Sequence, residues 1–142
     1  MKNRLKLLLA TMCSMVSLFV AHTNAQSNTC ITFDAPFDFV VETKKLPAGR
    51  YTVDRLNPGD PAVLVIKAVN GSTKRLFRTH RVESQREGDQ PAVVFTRYQD
   101  NYFLLRVWGM AERNGRELPT SDRERSLSTG RSEVSIVAAK KR

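Results

Sequence analysis

Ala92-Val93-Val94-Phe95-Thr96-Arg97-Tyr98-Gln99-Asp100-Asn101-Tyr102-Phe103-Leu104-Leu105-Arg106-Val107-Trp108 is the stretch that decides the fold. Its arms, Ala92 to Tyr98 and Tyr102 to Ala111, are rich in β-branched and aromatic residues, and Gln99-Asp100-Asn101 between them is a tight polar turn. Such side chains fit a pleated, half-buried surface, and two such runs joined by a short turn read as a β-hairpin. The core candidates are Val93, Phe95, Phe103, Leu105 and Val107. Spacing leaves open which parity faces inward.

The same period of two runs outward in both directions. Upstream, Phe37, Phe39 and Val41 share one face of a strand, with Asp38 and Glu42 on the other. Leu46-Pro47-Ala48-Gly49 breaks the pattern, and Arg50 to Leu56 resumes it, so the two segments read as a hairpin. Asn57-Pro58-Gly59-Asp60-Pro61 is a dense turn cluster. Ala62 to Val69 is apolar apart from Lys67 and reads as a more central strand, with Asn70-Gly71 as a two-residue turn onto Thr73 to Val82. Arg86 to Pro91 reads as a polar loop.

Downstream, the period changes once. Ser121 and Glu124 form a capping box, acidic residues occupy the first turn, and Gly130 is placed to end a short helix over about 119–128. Val134, Ile136 and Ala138 alternate again in a last strand over about 133–139. The expected fold is all-β: an antiparallel meander of about eight strands forming a small barrel or sandwich, with one short helix near the C-terminus. Lys67, Arg78, Arg97 and Arg106 on strand faces disfavour a membrane-spanning barrel.

The first 25 residues read differently. Lys2, Arg4 and Lys6 precede an apolar segment from Leu7 to Ala21, and Thr23-Asn24-Ala25 ends in small residues, the layout of a secretory signal peptide. An uncleaved anchor is the rival reading, but the segment is short for a span and diluted by Thr11, Ser14 and Ser17. Cys13 lies inside the apolar segment, too early for lipidation. The expectation is a single β domain over 26–142, exported to the periplasm or secreted. Cleavage after Ala25 would take 25 of the 142 residues, leaving 117, and three of the +9 charges, leaving +6.

At Phe37-Asp38-Phe39-Val40-Val41 and Leu46-Pro47-Ala48-Gly49-Arg50-Tyr51-Thr52-Val53, the chain resembles an uncharacterised family of small exported bacterial β-rich proteins, with a PFxF strand and an LPAGxY turn. Arg97-Tyr98 through Tyr102-Phe103-Leu104 to Val107-Trp108, and Arg116-Glu117-Leu118-Pro119, extend that resemblance over most of the domain. It implies export and a β-rich domain, and supplies no activity and no catalytic residues.

Chemistry-bearing residues are sparse. Cys30 is the one thiol left after cleavage, which precludes an internal disulfide and leaves a buried small hydrophobe or a Cys30-linked dimer. His80 lacks a second His or Cys at ligand spacing, so no metal site and no cofactor are expected. Asp34 with Asp38, or Glu112 with Glu117, are weak acid–base pairs that read better as surface ion pairs. Asp60, Asp89 and Asp100 sit in turns, and Asp122 with Glu124 at a helix start. Catalytic residues are therefore assigned to none, and nucleic acid is not expected. Trp108, Tyr51 and Phe103 are the binding candidates, because aromatic faces line ligand mouths. The leading reading is an exported non-enzymatic β domain that binds or associates with the envelope, its partner an anionic envelope component or a small apolar ligand. A lipocalin-like small-ligand carrier and an envelope hydrolase using His80 are the alternatives.

Overall fold

The computed structural model describes residues 30–83, 90–110 and 114–141. The signal-peptide reading over 1–25 lies outside them, as do Asp89, Glu112 and most of the Arg86 to Pro91 loop. No helix among the described residues is long and apolar enough to cross a membrane.

In chain order the elements are β1 (Ile31–Ala35), β2 (Phe39–Val41), β3 (Lys44–Leu46), β4 (Gly49–Asn57), β5 (Asp60–Ala68), β6 (Lys74–Arg78), β7 (His80–Val82), β8 (Ala92–Tyr98), β9 (Asn101–Trp108), β10 (Gly115–Glu117), α1 (Asp122–Leu127) and β11 (Ser132–Lys141). The protein is all-β with a single short helix towards its C-terminus. The strands form one sheet in the order β3-β2-β9-β8-β11-β1-β4-β5-β6, with β10 beside β9 and β7 beyond β10. The end strands β3 and β6 do not pair, so the sheet curls into an open half-barrel.

The hairpin at Gln99-Asp100 forms as expected, with Tyr98 opposite Asn101 and Gln99 at φ 56. Its parity is decided by a bulge. Val94 faces Arg106 and Phe95 faces Leu104, so Leu105 is the extra residue. Alternation therefore shifts within β9: Leu104 and Val107 join the core, whereas Phe103 is buried on the other face. Of the five core candidates on this hairpin, Val93, Phe95 and Val107 are in the main core.

Three local readings are corrected. Phe37–Glu42 and Arg50–Leu56 do not form a hairpin: β2 pairs with β3 and runs parallel to β9, while β4 pairs with β1 and β5. Glu42, at φ 56, reverses the chain at once into the three-residue strand β3, which buries Leu46 beside Phe39. Secondly, Asn70-Gly71 is not a two-residue turn. β5 ends at Ala68, whose N–H donates to Thr73 O at 2.8 Å, and Asn70 Oδ1 accepts from the Ser72 N–H and hydroxyl inside the wider loop. Finally, Thr73 to Val82 is two strands. The N–H and hydroxyl of Thr79 both donate to Ala62 O, holding the chain where it leaves β5 and turns to pair with β10.

The helix starts where expected and stops earlier. Ser121 Oγ accepts from the Glu124 N–H at 3.2 Å, and the Glu124 carboxylate accepts from the Ser121 N–H, completing the capping box. Ser128 ends the helix, its N–H and hydroxyl both donating to Arg125 O, so Gly130 has no capping role.

The concave face is filled. Phe33, Phe39, Tyr51 and Phe95, each from a different strand, pack with ring centroids 5.1–6.2 Å apart. Phe37 stacks on Tyr102 at 3.6 Å, and the Arg97 guanidinium lies 5.6 Å from the Tyr102 ring centre. Aliphatic residues Ile31, Val53, Leu64, Ile66 and Val93, all fully buried, surround these rings. Burying each large side chain contributes roughly 1.5–3 kcal/mol, so this face supplies the bulk of the stability.

Candidate functional site

The three aromatic candidates are not brought together. Tyr51 belongs to the concave core, where its hydroxyl donates to Pro47 O at 2.7 Å. Burial, helped by the Asp38 charge, pushes the Tyr51 phenol above its ordinary value. Its tie to Pro47 fixes the base of the Leu46-Pro47-Ala48-Gly49 turn. Phe103 lies on the convex face but is buried, edge-on to Tyr98 at 5.9 Å. Trp108 is also convex, at the far end of β9, and it alone of the three is partly exposed.

Trp108 is held in place by a glycine. Its ring covers Gly115 on the neighbouring β10, and a Cβ there would lie 2.6 Å from Cε3 of the indole. The absence of a side chain at 115 thus lets the indole lie flat on the sheet. Beside it opens a groove of about 520 Å³ lined by Val82, Glu83, Val94, Arg106, Trp108, Val134 and Ile136. The strand register explains the grouping. Val94 stands opposite Arg106 on one side and Ile136 on the other, and Thr96 stands opposite Val134.

The β11 contribution reverses the usual logic of a strand. Its most regular apolar alternation, Val134 and Ile136, points away from the core, and these residues are 64% and 51% exposed. The positions facing the core are those of Ser135, Val137 and Ala139. A one-residue shift of register would exchange the two rows, but the pairings Val137 to Val93 and Ala139 to Phe33 fix it. Sequence reading found the strand and missed its orientation. Nothing in Val134-Ser135-Ile136 alone says which side is solvent.

One wall of the groove is polar and internally matched. Arg106 Nε bonds the Glu117 carboxylate, and His80 Nε2 lies 3.4 Å from its other oxygen. Among the described residues no serine or cysteine side chain joins His80, so the arrangement is a shared carboxylate between two cations. Asp34 and Asp38 do not act as a carboxylate pair. Asp34 binds Arg50, which holds its carboxyl below the usual range, and Asp38 accepts the Ala48 N–H and pairs with Lys45, with the same effect. Glu124 goes the other way: burial raises its carboxyl, partly offset by the Ser121 N–H. Asp60 accepts from the Ala62 N–H, Asp100 pairs with Arg97, and Asp122 with Arg125. No group of three metal-binding side chains occurs among the described residues. Cys30 is half-buried just ahead of β1, its Sγ 3.9 Å from Ile31 O.

A second hollow of about 430 Å³ lies at the Leu46-Pro47-Ala48-Gly49 turn, between Arg50, Asp34 and Asn70. Its principal charges, Arg50 and Asp34, already neutralise each other at 2.7 Å. The Trp108 groove is the better site because its apolar side chains have no protein partner.

No protein-family model matches the chain, and neither curated proteins nor solved structures give a match.

Proposed function

We propose that the chain is an exported, non-enzymatic binding domain whose working surface is the Trp108 groove, and that its ligand is small and apolar. The observation that carries this reading is the solvent-facing row of Val134 and Ile136 beside the anchored Trp108. Exposed apolar side chains scattered singly need no explanation, but a contiguous group in a concave site is the usual mark of binding. The packed concave face favours this external groove over an interior cavity of the lipocalin kind. The shared Glu117 carboxylate favours a positioning role for His80 over hydrolysis, since no nucleophile accompanies it. Export rests on the basic, apolar and small-residue sequence of the first 25 residues.

Native mass spectrometry tests both parts together on protein expressed with its leader and purified from the envelope fraction. The expected species is residues 26–142 carrying an apolar adduct, with the adduct missing from Val134→Ser/Ile136→Ser. A chain that retains its first 25 residues contradicts export. An adduct that survives the double substitution contradicts the groove.

A further inference from the structure

The convex face carries a second, unlike surface at the opposite end of the sheet. On β1 and β4 its cross-strand charges are matched: Asp34 stands opposite Arg50 and pairs with it at 2.7 Å. On β5 and β6 the rule is broken. Lys67 stands directly opposite Lys74, and both side chains are exposed. Arg78 lies on the same face two positions beyond Leu76, opposite Val63. Among the described residues none of these three cations has an acidic partner within ion-pair distance. Asp54, the acid on the same face of β4, stands opposite Val65 and accepts the Arg55 N–H. Leu76 sits between Lys74 and Arg78 and is 47% exposed.

Like charges facing each other across a strand pair cost stability, and an opposite pair would gain it. β6 is an edge, and lysine on an edge strand guards against pairing with another chain. That guard accounts for Lys74 alone. It does not account for Lys67 on the inner neighbour, nor for an exposed leucine in the middle of the row. A flat face with three unneutralised cations around one protruding apolar side chain complements an anionic bilayer surface: the cations meet phosphates, and the leucine reaches the acyl boundary.

We infer that the convex face of β5 and β6, through Lys67, Lys74, Arg78 and Leu76, docks the protein on an anionic phospholipid membrane. This surface is separate from the Trp108 groove and holds whether or not the groove takes a ligand.

The test is co-sedimentation of the full chain with vesicles of three parts phosphatidylglycerol to seven parts phosphatidylethanolamine, against phosphatidylcholine vesicles. Binding is expected to the anionic vesicles only, and to weaken steeply with added salt. Each cation near such a surface contributes about 1 kcal/mol, which is about fivefold in affinity. Lys67→Gln/Lys74→Gln/Arg78→Gln therefore loses about 100-fold, and Leu76→Ser weakens binding at constant charge. Lys74→Glu separates docking from folding, because it weakens binding while placing an opposite charge across from Lys67 and raising the thermal midpoint. Arg123→Gln, on the exposed side of α1, lowers net charge elsewhere and leaves binding unchanged; an equal loss there would show that only net charge matters and overturn the proposal. Retention on soluble polyphosphate without vesicle binding would also overturn it. Val134→Ser/Ile136→Ser should bind vesicles normally, so failure of the groove reading and failure of this one are distinguishable.

Discussion

The two faces of this sheet are built by the same strands and obey different rules. On the concave face, rings from β1, β2, β4 and β8 meet one another, and the polar Tyr51 hydroxyl is satisfied by Pro47. On the convex face, apolar side chains at Val134 and Ile136 meet solvent, and Lys67 meets Lys74. The concave face is optimised for folding. The convex face tolerates arrangements that folding does not require, and those tolerances mark its working surfaces.

Substitutions can sharpen that contrast. The largest effect is expected at Phe95, which touches Phe33, Phe37 and Phe39. Phe95→Ala should cost about 3–5 kcal/mol in chemical denaturation, since the rings around it cannot all collapse into the space. Ser121→Ala removes the oxygen that accepts the Glu124 N–H and should cost about 1 kcal/mol, read the same way. On the convex face, Val134→Ser/Ile136→Ser should change stability by no more than about 0.5 kcal/mol per site, the usual size for surface positions, while abolishing ligand capture. A loss as large as that at Phe95 would erase the distinction between the faces.

The smallest effects concern pH and carry opposite signs. The carboxyls of Asp34 and Asp38 are lowered in the folded state by Arg50, and by the Ala48 N–H with Lys45. Their contribution is present above the ordinary carboxylate range and is lost as pH falls through the lowered values. Asp34→Asn/Asp38→Asn should therefore flatten the acid side of a stability-against-pH curve. Glu124 is raised by burial, so its protonated form favours folding, and that contribution is lost as pH rises through the raised value. Glu124→Gln keeps a capping-box side chain without the charge. It should raise the thermal midpoint near pH 7 and leave it nearly unchanged near pH 4.

Much of the fold could be read from local pattern, because hairpins such as β8 with β9 are local and their turn chemistry is explicit in Gln99-Asp100. What escaped was non-local. The pairing of β4 with β1, not with the strand before the Leu46-Pro47-Ala48-Gly49 turn, depends on Phe33 meeting Tyr51, which no spacing within one segment announces. The bulge at Leu105 shifted Phe103 and Leu104 to opposite faces, and a strict period of two cannot register an inserted residue. Of the site, Trp108 was legible as an aromatic on a strand. Val82, Val94, Arg106, Val134 and Ile136 were not, since their meeting depends on five strands and on a register fixed elsewhere.

The chain contains a single tryptophan, and it lies in the groove. Titration with 1-anilinonaphthalene-8-sulfonate, followed as energy transfer from Trp108 to the probe, reads that surface directly. The account predicts saturable transfer at one equivalent in the native chain, and its disappearance in Val134→Ser/Ile136→Ser with folding intact. Transfer that persists undiminished in the double variant, or that never saturates in the native chain, would contradict it.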